Sequence, residues 1–201
     1  MPTAAPRCSA SPSSPTRSPA PARRWSASAP APSIASTCGS AAACPGLRLA
    51  LPHVLGSDIA GLVEAVGPGV DPAWLGREVV VAPGLSCGTC ESCLSGWDNL
   101  CPRYRILGET APGGYCERIA VPAANLLAMP AGMDPILAAA VPLTFLTAWQ
   151  MLTTRARVAP GQVVLIHAVG SGVGVAGLQI ARLHGARVVA LASSDAKLAA
   201  A

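Results

Sequence analysis

The sequence predicts an α/β protein with a β-rich first part, and three observations carry that expectation. Short β-branched runs bounded by Gly and Pro come first, at 54–70, 78–83 and 118–122. Helical patterns follow at 134–140 and 143–154. A strand–helix–strand unit comes last, at 162–167, 172–184 and 187–192. The length of 201 residues suffices for one ordinary domain plus part of a second. With 51% hydrophobic and 12% charged residues, the chain is not a charge-rich disordered protein. No apolar run approaches the roughly 18 residues of a membrane span.

Residues 1–45 stand apart. Thirty-five of them are Ser, Pro, Ala or Arg, and nine of the twenty prolines lie there, so no period of 2 or 3.6 survives. Such a stretch cannot bury enough apolar surface to offset its ordering entropy. Three readings compete: a disordered tail, an Arg- and Ser-rich transit peptide, or translation in the wrong frame of GC-rich DNA, which the 13 Arg against one Lys would suit. Residues 1–48 carry five arginines and no acid, whereas the remainder balances to −1. The net +4 therefore gives no argument for a nucleic-acid or membrane partner.

From residue 46 the elements justify themselves in order. The run 54–70 alternates and ends in Gly67-Pro68-Gly69, a strand entering a turn. Runs 78–83 and 118–122 are short strands, and Cys116 just before the latter reads as a small buried hydrophobe. Asp134 precedes Pro135, the N-cap and N1 signature of a helix. The run 162–167 reads as a buried strand, and 172–184 as a helix closed by Gly185. The resulting division is 46–128 for a β-rich domain and 129–201 for the start of an α/β one.

Two motifs carry chemistry. Cys87, Cys90, Cys93 and Cys101 form C-x2-C-x2-C-x7-C within a lobe spanning 85–103, with turns supplied by Gly88, Gly96 and Pro102. Four thiolates so spaced close tetrahedrally around zinc, and a closed all-sulfur shell is structural because it leaves no open position. An iron–sulfur cluster competes, although the bacterial ferredoxin run places its fourth Cys nearer; disulfides are the plainer alternative. The second motif is Gly172-x-Gly174-x-x-Gly177 between a strand and a helix. That context marks a dinucleotide turn: Gly172 for the tight turn, Gly174 for approach of a pyrophosphate, Gly177 for close helix packing. Gly170 and Val173 border the same phosphate position at the helix N-terminus.

Zinc lobe and glycine turn, in this order, resemble the medium-chain dehydrogenase/reductase superfamily of zinc-type alcohol dehydrogenases and quinone oxidoreductases. The resemblance covers 45–201. It includes Leu51-Pro52-His53-Val54-Leu55-Gly56-Ser57-Asp58, Ala65-Val66-Gly67, Gly113-Gly114-Tyr115 and Phe145-Leu146-Thr147-Ala148-Trp149. It implies a GroES-like β-barrel domain, incomplete at its start, beside a truncated Rossmann domain. It also implies hydride transfer to or from NAD(P) across the cleft between them.

Departures from the family narrow the branch. Zinc alcohol dehydrogenases carry Gly-His-Glu where this chain has Gly56-Ser57-Asp58, and their later catalytic cysteine aligns with Leu143. A third ligand, with Cys38 the candidate, would lie in the N-terminal segment. The resemblance thus implies structural zinc without catalytic zinc, and reduction of activated carbonyls or alkenes. Ser57 and Asp58 are then candidates for polarising the acceptor, and Thr147 resembles the residue beside the nicotinamide. A turn role for Asp58 and a helix hydroxyl role for Thr147 are the plainer readings.

NADP is expected over NAD. The position about 20 residues past the first glycine, where an NAD site wants an acid, holds Ala192. Ser193, Ser194 and Lys197 follow, suited to a phosphate; Asp195 would cap the next helix. His53 reads as structural, His167 as near the nucleotide, and His184 as complementing a helix C-terminus. A cytoplasmic protein with small-molecule partners and homo-oligomeric relatives is expected. Because the chain stops at the start of its next helix, no turnover is expected of it as written. The alternatives are a non-catalytic zinc- and nucleotide-binding protein, or a defective gene product.

Overall fold

A computed structural model describes residues 52–200 and the backbone of residues 24–26. Cys8, Cys38, Cys44 and Leu51, and the expectations attached to them, lie outside the described residues. Two compact units are present, the first ending at Ala139 and the second beginning at Ala140.

The first unit is built on an antiparallel sheet ordered β1-β2-β3-β6. Its strands are β1 (Arg24–Ser26), β2 (Ala60–Ala65), β3 (Glu78–Val81) and β6 (Leu126–Ala128). The smaller pair β4 (Gly84–Leu85) and β5 (Arg105–Ile106) forms a separate two-stranded ladder. Strand β1 falls within the 1–45 stretch, of which low order as a whole is expected. Trp25 pairs with Val63 and Ser26 with Leu62, with a bulge at Arg24. Pairing through the backbone needs no hydrophobic period, which is why composition did not reveal it.

Alternation in β3 divides its valines between two faces. Val79 and Val81 are fully buried with Ile59, Val63, Leu107, Val121 and Leu126. Val80 turns to the other face and meets Ala60, Ala138 and Ala139. The last two belong to helix Pro135–Ala139, whose N–H groups at Ile136 and Leu137 donate to Asp134 Oδ1 at 2.7 and 3.3 Å. That helix packs into the first unit, so the compact unit extends past the expected division at 128. Residues 118–122 form no named strand, although Val121 is fully buried; nor does the stretch around Cys116, whose thiol meets the carbonyls of Gly113 and Arg118.

In the second unit, β7 (Val163–Ile166) and β8 (Arg187–Ala190) pair in parallel around helix Gly172–Leu183. That helix ends in a Schellman arrangement: Gly185 N–H donates to Arg182 and Ala186 N–H to Ala181, with Gly185 at φ +71°. Helix Val141–Trp149 continues as a π-helix, Gln150–Arg155, and packs on Gly172–Leu183 through Phe145, Ala148, Leu152, Ala176 and Ile180. The strand at 162–167 is not buried as expected. Val163 and Leu165 remain 61% and 55% exposed, because helix covers only one face of this two-stranded sheet. Among the described residues no helix is long and apolar enough to cross a membrane.

Candidate functional site

The cysteine lobe springs from β4 and returns to β5, so one short ladder fixes both ends of the loop. Gly88 and Gly96 take φ of +70° and +82°, the left-handed turns that fold the loop on itself. Helix Glu91–Leu94 gives it one rigid turn, with Cys90 at the N-cap. The four sulfurs of Cys87, Cys90, Cys93 and Cys101 all lie within 4.8 Å of one another. A tetrahedral zinc with Zn–S bonds of about 2.3 Å would set its sulfurs about 3.8 Å apart. Cys87 and Cys93 sulfurs are 3.8 Å apart, and Cys90 and Cys93 sulfurs 3.4 Å. No pair approaches the roughly 2.05 Å of a disulfide.

Backbone amides converge on this sulfur set. Cys87 N–H and Arg103 N–H each donate to Cys101 Sγ at 3.4 Å, and Cys90 N–H donates to Cys87 Sγ at 3.3 Å. Amide donors favour thiolate, the form that ligates metal. The Thr89 backbone and hydroxyl together hold the Cys87 thiol down to about 5. For Cys90 the Cys93 amide pulls downward, but burial and the neighbouring thiols prevail and push it up to about 11. Arg103 places a guanidinium beside this charge, with Nη2 donating to Thr89 Oγ1 at 3.3 Å. Sequence reasoning missed Thr89, Arg103 and Asn125. Asn125 Nδ2 donates to the carbonyls of Ala82 and Gly84 at 2.7 and 2.6 Å, pinning the strand that enters the lobe. Thr89, inside the first C-x2-C, and Arg103, two residues past the last cysteine, left a local signal; Asn125 left none.

Ser57 and Asp58 sit where three glycine backbones cross. A Cβ on Gly108 would meet the backbone of Gly56, and one on Gly113 would meet Gly56 O and Gly108 Cα. Amides of Gly113, Gly114 and Tyr115 donate to the carbonyls of Val54, Gly56 and Leu55. Ser57 Oγ donates to Leu107 O at 2.6 Å, which commits its proton to the backbone. Asp58 is 3% exposed, and its Oδ1 is buried with no hydrogen-bond partner among the described residues. Burial pushes this carboxyl up to about 6. His53 is half-buried, with Nε2 likewise lacking a partner there.

The glycine turn in the second unit is tighter than its motif suggests. Ser171 is the N-cap of helix Gly172–Leu183, and its Oγ accepts from Gly174 N–H at 3.1 Å. A Cβ on Gly174 would strike the carbonyl oxygen of Ala168 and approach Val169 Cα to 2.9 Å. Gly174 is thus required by the backbone of the turn itself, at Ala168 and Val169. A Cβ on Gly177 would make ordinary contact with Ile166 and Leu152, at 3.6 and 3.9 Å. Gly172 is required by its neighbour Thr144, whose Cγ2 would lie 2.8 Å from a Cβ there. Gly170 and Val173 are exposed on the same turn.

Lys197 lies over this turn, its side-chain carbons 3.8–3.9 Å from where a Gly170 Cβ would be, and its Nζ donates to Ser193 Oγ at 3.1 Å. Ser194, rather than Asp195, is the N-cap of helix Asp195–Ala199, without a side-chain capping bond. Thr147 Oγ1 donates to Leu143 O at 2.7 Å, the helix-hydroxyl arrangement. His167 is exposed beyond the end of β7. His184 Nδ1 meets Ile180 O at 2.9 Å at the helix C-terminus. Among the described residues, the four cysteines are the one group of three or more side chains able to hold a metal.

Known proteins match this arrangement. The alcohol dehydrogenase GroES-like domain family matches residues 33–131, beginning 12 residues earlier than the sequence resemblance did. L-galactonate-5-dehydrogenase of Escherichia coli K12 is 36% identical over 148 residues, 73% of this chain and 42% of that protein. An alcohol dehydrogenase of Geobacillus stearothermophilus is 36% identical over 150 residues, 73% of this chain and 43% of its own length. A solved NAD-dependent alcohol dehydrogenase superposes with a TM-score of 0.77 at 47% identity, over 94% of this chain and 55% of that one. A cobalt- and zinc-bound thermostable alcohol dehydrogenase from Pyrobaculum aerophilum gives 0.75 at 33% identity, over 90% of this chain and 53% of that one. The chain spans about half the length of these relatives. With a GroES-like part, a four-cysteine lobe and a glycine-rich strand–helix–strand unit in this order, it belongs to the medium-chain family of zinc-type alcohol dehydrogenases.

Proposed function

We propose that this chain is part of an oxidoreductase that moves hydride between NADP(H) and a carbonyl, alcohol or activated alkene, using one structural zinc and no catalytic zinc. The observation that carries this reading is Ser57. Its hydroxyl donates to Leu107 O at 2.6 Å, where zinc-type relatives would offer an imidazole to a metal. The described residues around it gather no second metal-binding group.

In the lobe, Cys87, Cys90, Cys93 and Cys101 have the donor type and spacing for zinc, and their amide-stabilised thiolates would hold it. Zinc bound there supplies a cross-link and, with its shell closed by sulfur, no position for substrate. In the second unit, the N–H groups of Gly172 and Val173 head the helix and are proposed to meet the pyrophosphate. Ser193, Ser194 and Lys197 offer two hydroxyls and a cation for an adenosine phosphate. Burial pushes the Asp58 carboxyl up to about 6, and Asp58 is proposed to donate a hydrogen bond to the acceptor oxygen below that pH; Thr147 is proposed to lie beside the nicotinamide.

Metal analysis and X-ray absorption on the purified chain test the zinc reading. One zinc per chain in an all-sulfur shell is expected; two zincs, or a nitrogen ligand, overturn it. Cofactor titration tests the rest: NADPH should bind more tightly than NADH, and Lys197→Ala should weaken NADPH alone. Tighter NADH binding refutes the preference.

A further inference from the structure

The four sulfurs of the lobe are unevenly held. Cys101 is buried and receives two backbone N–H groups, from Cys87 and Arg103. Cys87 receives the Cys90 amide at 3.3 Å and the Thr89 hydroxyl at 3.7 Å. Cys90 and Cys93 are half-buried, and their sulfurs are 3.4 Å apart, closer than the 3.8 Å between Cys87 and Cys93. They occupy the N-cap and the single turn of helix Glu91–Leu94, three residues apart, so both side chains rise from one face of it. Closing the gap to a disulfide of about 2.05 Å needs a sulfur movement of about 1.4 Å, within the reach of side-chain torsions.

We infer that the lobe is an oxidation-sensitive metal holder, in which hydrogen peroxide joins Cys90 to Cys93 first and thereby releases zinc. The inference rests on the proposed zinc reading. One thiolate of the pair attacks the peroxide, breaks its O–O bond and becomes a sulfenic acid, releasing hydroxide. The second thiolate attacks that sulfur and forms the S–S bond, expelling a second hydroxide. Two electrons pass from the two sulfurs to the peroxide, and two protons convert the hydroxides to water. A zinc held by the four sulfurs would thereby lose two ligands, and the remaining pair, Cys87 and Cys101, could not close a tetrahedral shell.

The test uses the full chain as purified, with zinc content measured first, then titrated with hydrogen peroxide in the presence of a chromophoric chelator. Free thiols are blocked before digestion after Glu91 and before Asp98, which places Cys93 alone in 92–97 and Cys101 in a separate peptide; Cys87 and Cys90 share the peptide ending at Glu91, and its fragmentation shows which of the two carries the blocking group. The expected result is a cross-link from Cys90 to 92–97, appearing in step with one zinc released per chain. Dithiothreitol and added zinc should reverse it, and Cys116→Ser should leave it unchanged. A first cross-link involving Cys87 or Cys101, or irreversible oxidation of the lobe, overturns the inference. A chain purified without zinc refutes the zinc reading on its own, while its metal-free thiols still report which pair joins first.

Discussion

Replacing Asp58 with asparagine should remove a pH dependence that the buried carboxyl imposes on the first unit. The carboxyl is 3% exposed, its Oδ1 has no partner among the described residues, and burial raises it from 3.8 to about 6. A raised carboxyl favours the native state only while both states are protonated, below the unfolded value. Its contribution is lost as pH rises from about 3.8 through about 6, because the unfolded chain gives up the proton first. A shift of about two units corresponds to about 3 kcal/mol, of which about half is gone by pH 5 and nearly all by pH 7. The neutral amide of the Asp58→Asn variant would mimic the protonated acid at every pH. Urea unfolding of both zinc-loaded proteins from about pH 4 to 8 reads the difference. Acid release of zinc affects both proteins alike and cancels. The variant should gain about 2.4 kcal/mol relative to the parent across that range, the first part of the roughly 3 kcal/mol having been lost below pH 4. A difference that stays constant with pH refutes the reasoning, whatever its sign.

Gly174→Ala should lower the thermal midpoint of the second unit, at a cost of about 1–3 kcal/mol, because the added methyl meets the Ala168 carbonyl. Gly177→Ala, with only ordinary contacts ahead of it, should be neutral or stabilising by up to about 1 kcal/mol, and a larger loss there would contradict the assigned geometry. Asn125→Ala removes the amide shared by Ala82 O and Gly84 O. It should cost about 1–3 kcal/mol in urea unfolding and speed zinc transfer to a chelator; unaltered transfer would show the lobe to be independent of that clamp.

What the sequence disclosed was local. The cysteine loop and its turns lie within one short stretch, and the glycine turn is flanked directly by the strand and helix expected around it. Capping at Asp134 and termination at Gly185 were legible for the same reason, each depending on neighbours within four residues. Contacts made at distance were not. Gly56 needs its lack of side chain because of Tyr115, and the Ser57 proton goes to a carbonyl 50 residues on. Gly174 is required by the Ala168 carbonyl while Gly177 has room for a Cβ, a difference that the motif's spacing does not carry because it leaves the path of the surrounding backbone open. The exposure of Val163 and Leu165 was hidden as well, since β-branched character reports strand and not how many faces are covered.

The separation of residues around the lobe also sets an order of events. Its ends, Cys87 and Cys101, are 14 residues apart, whereas the Asn125 clamp and the pairing of Val79 with Ala128 join points more than 40 apart. Closing the longer loop costs about 1 kcal/mol more in chain entropy. A nascent chain would therefore gather its four thiolates before β6 has emerged to complete the sheet, and metal supplied at that moment would seed the first unit around an already closed loop.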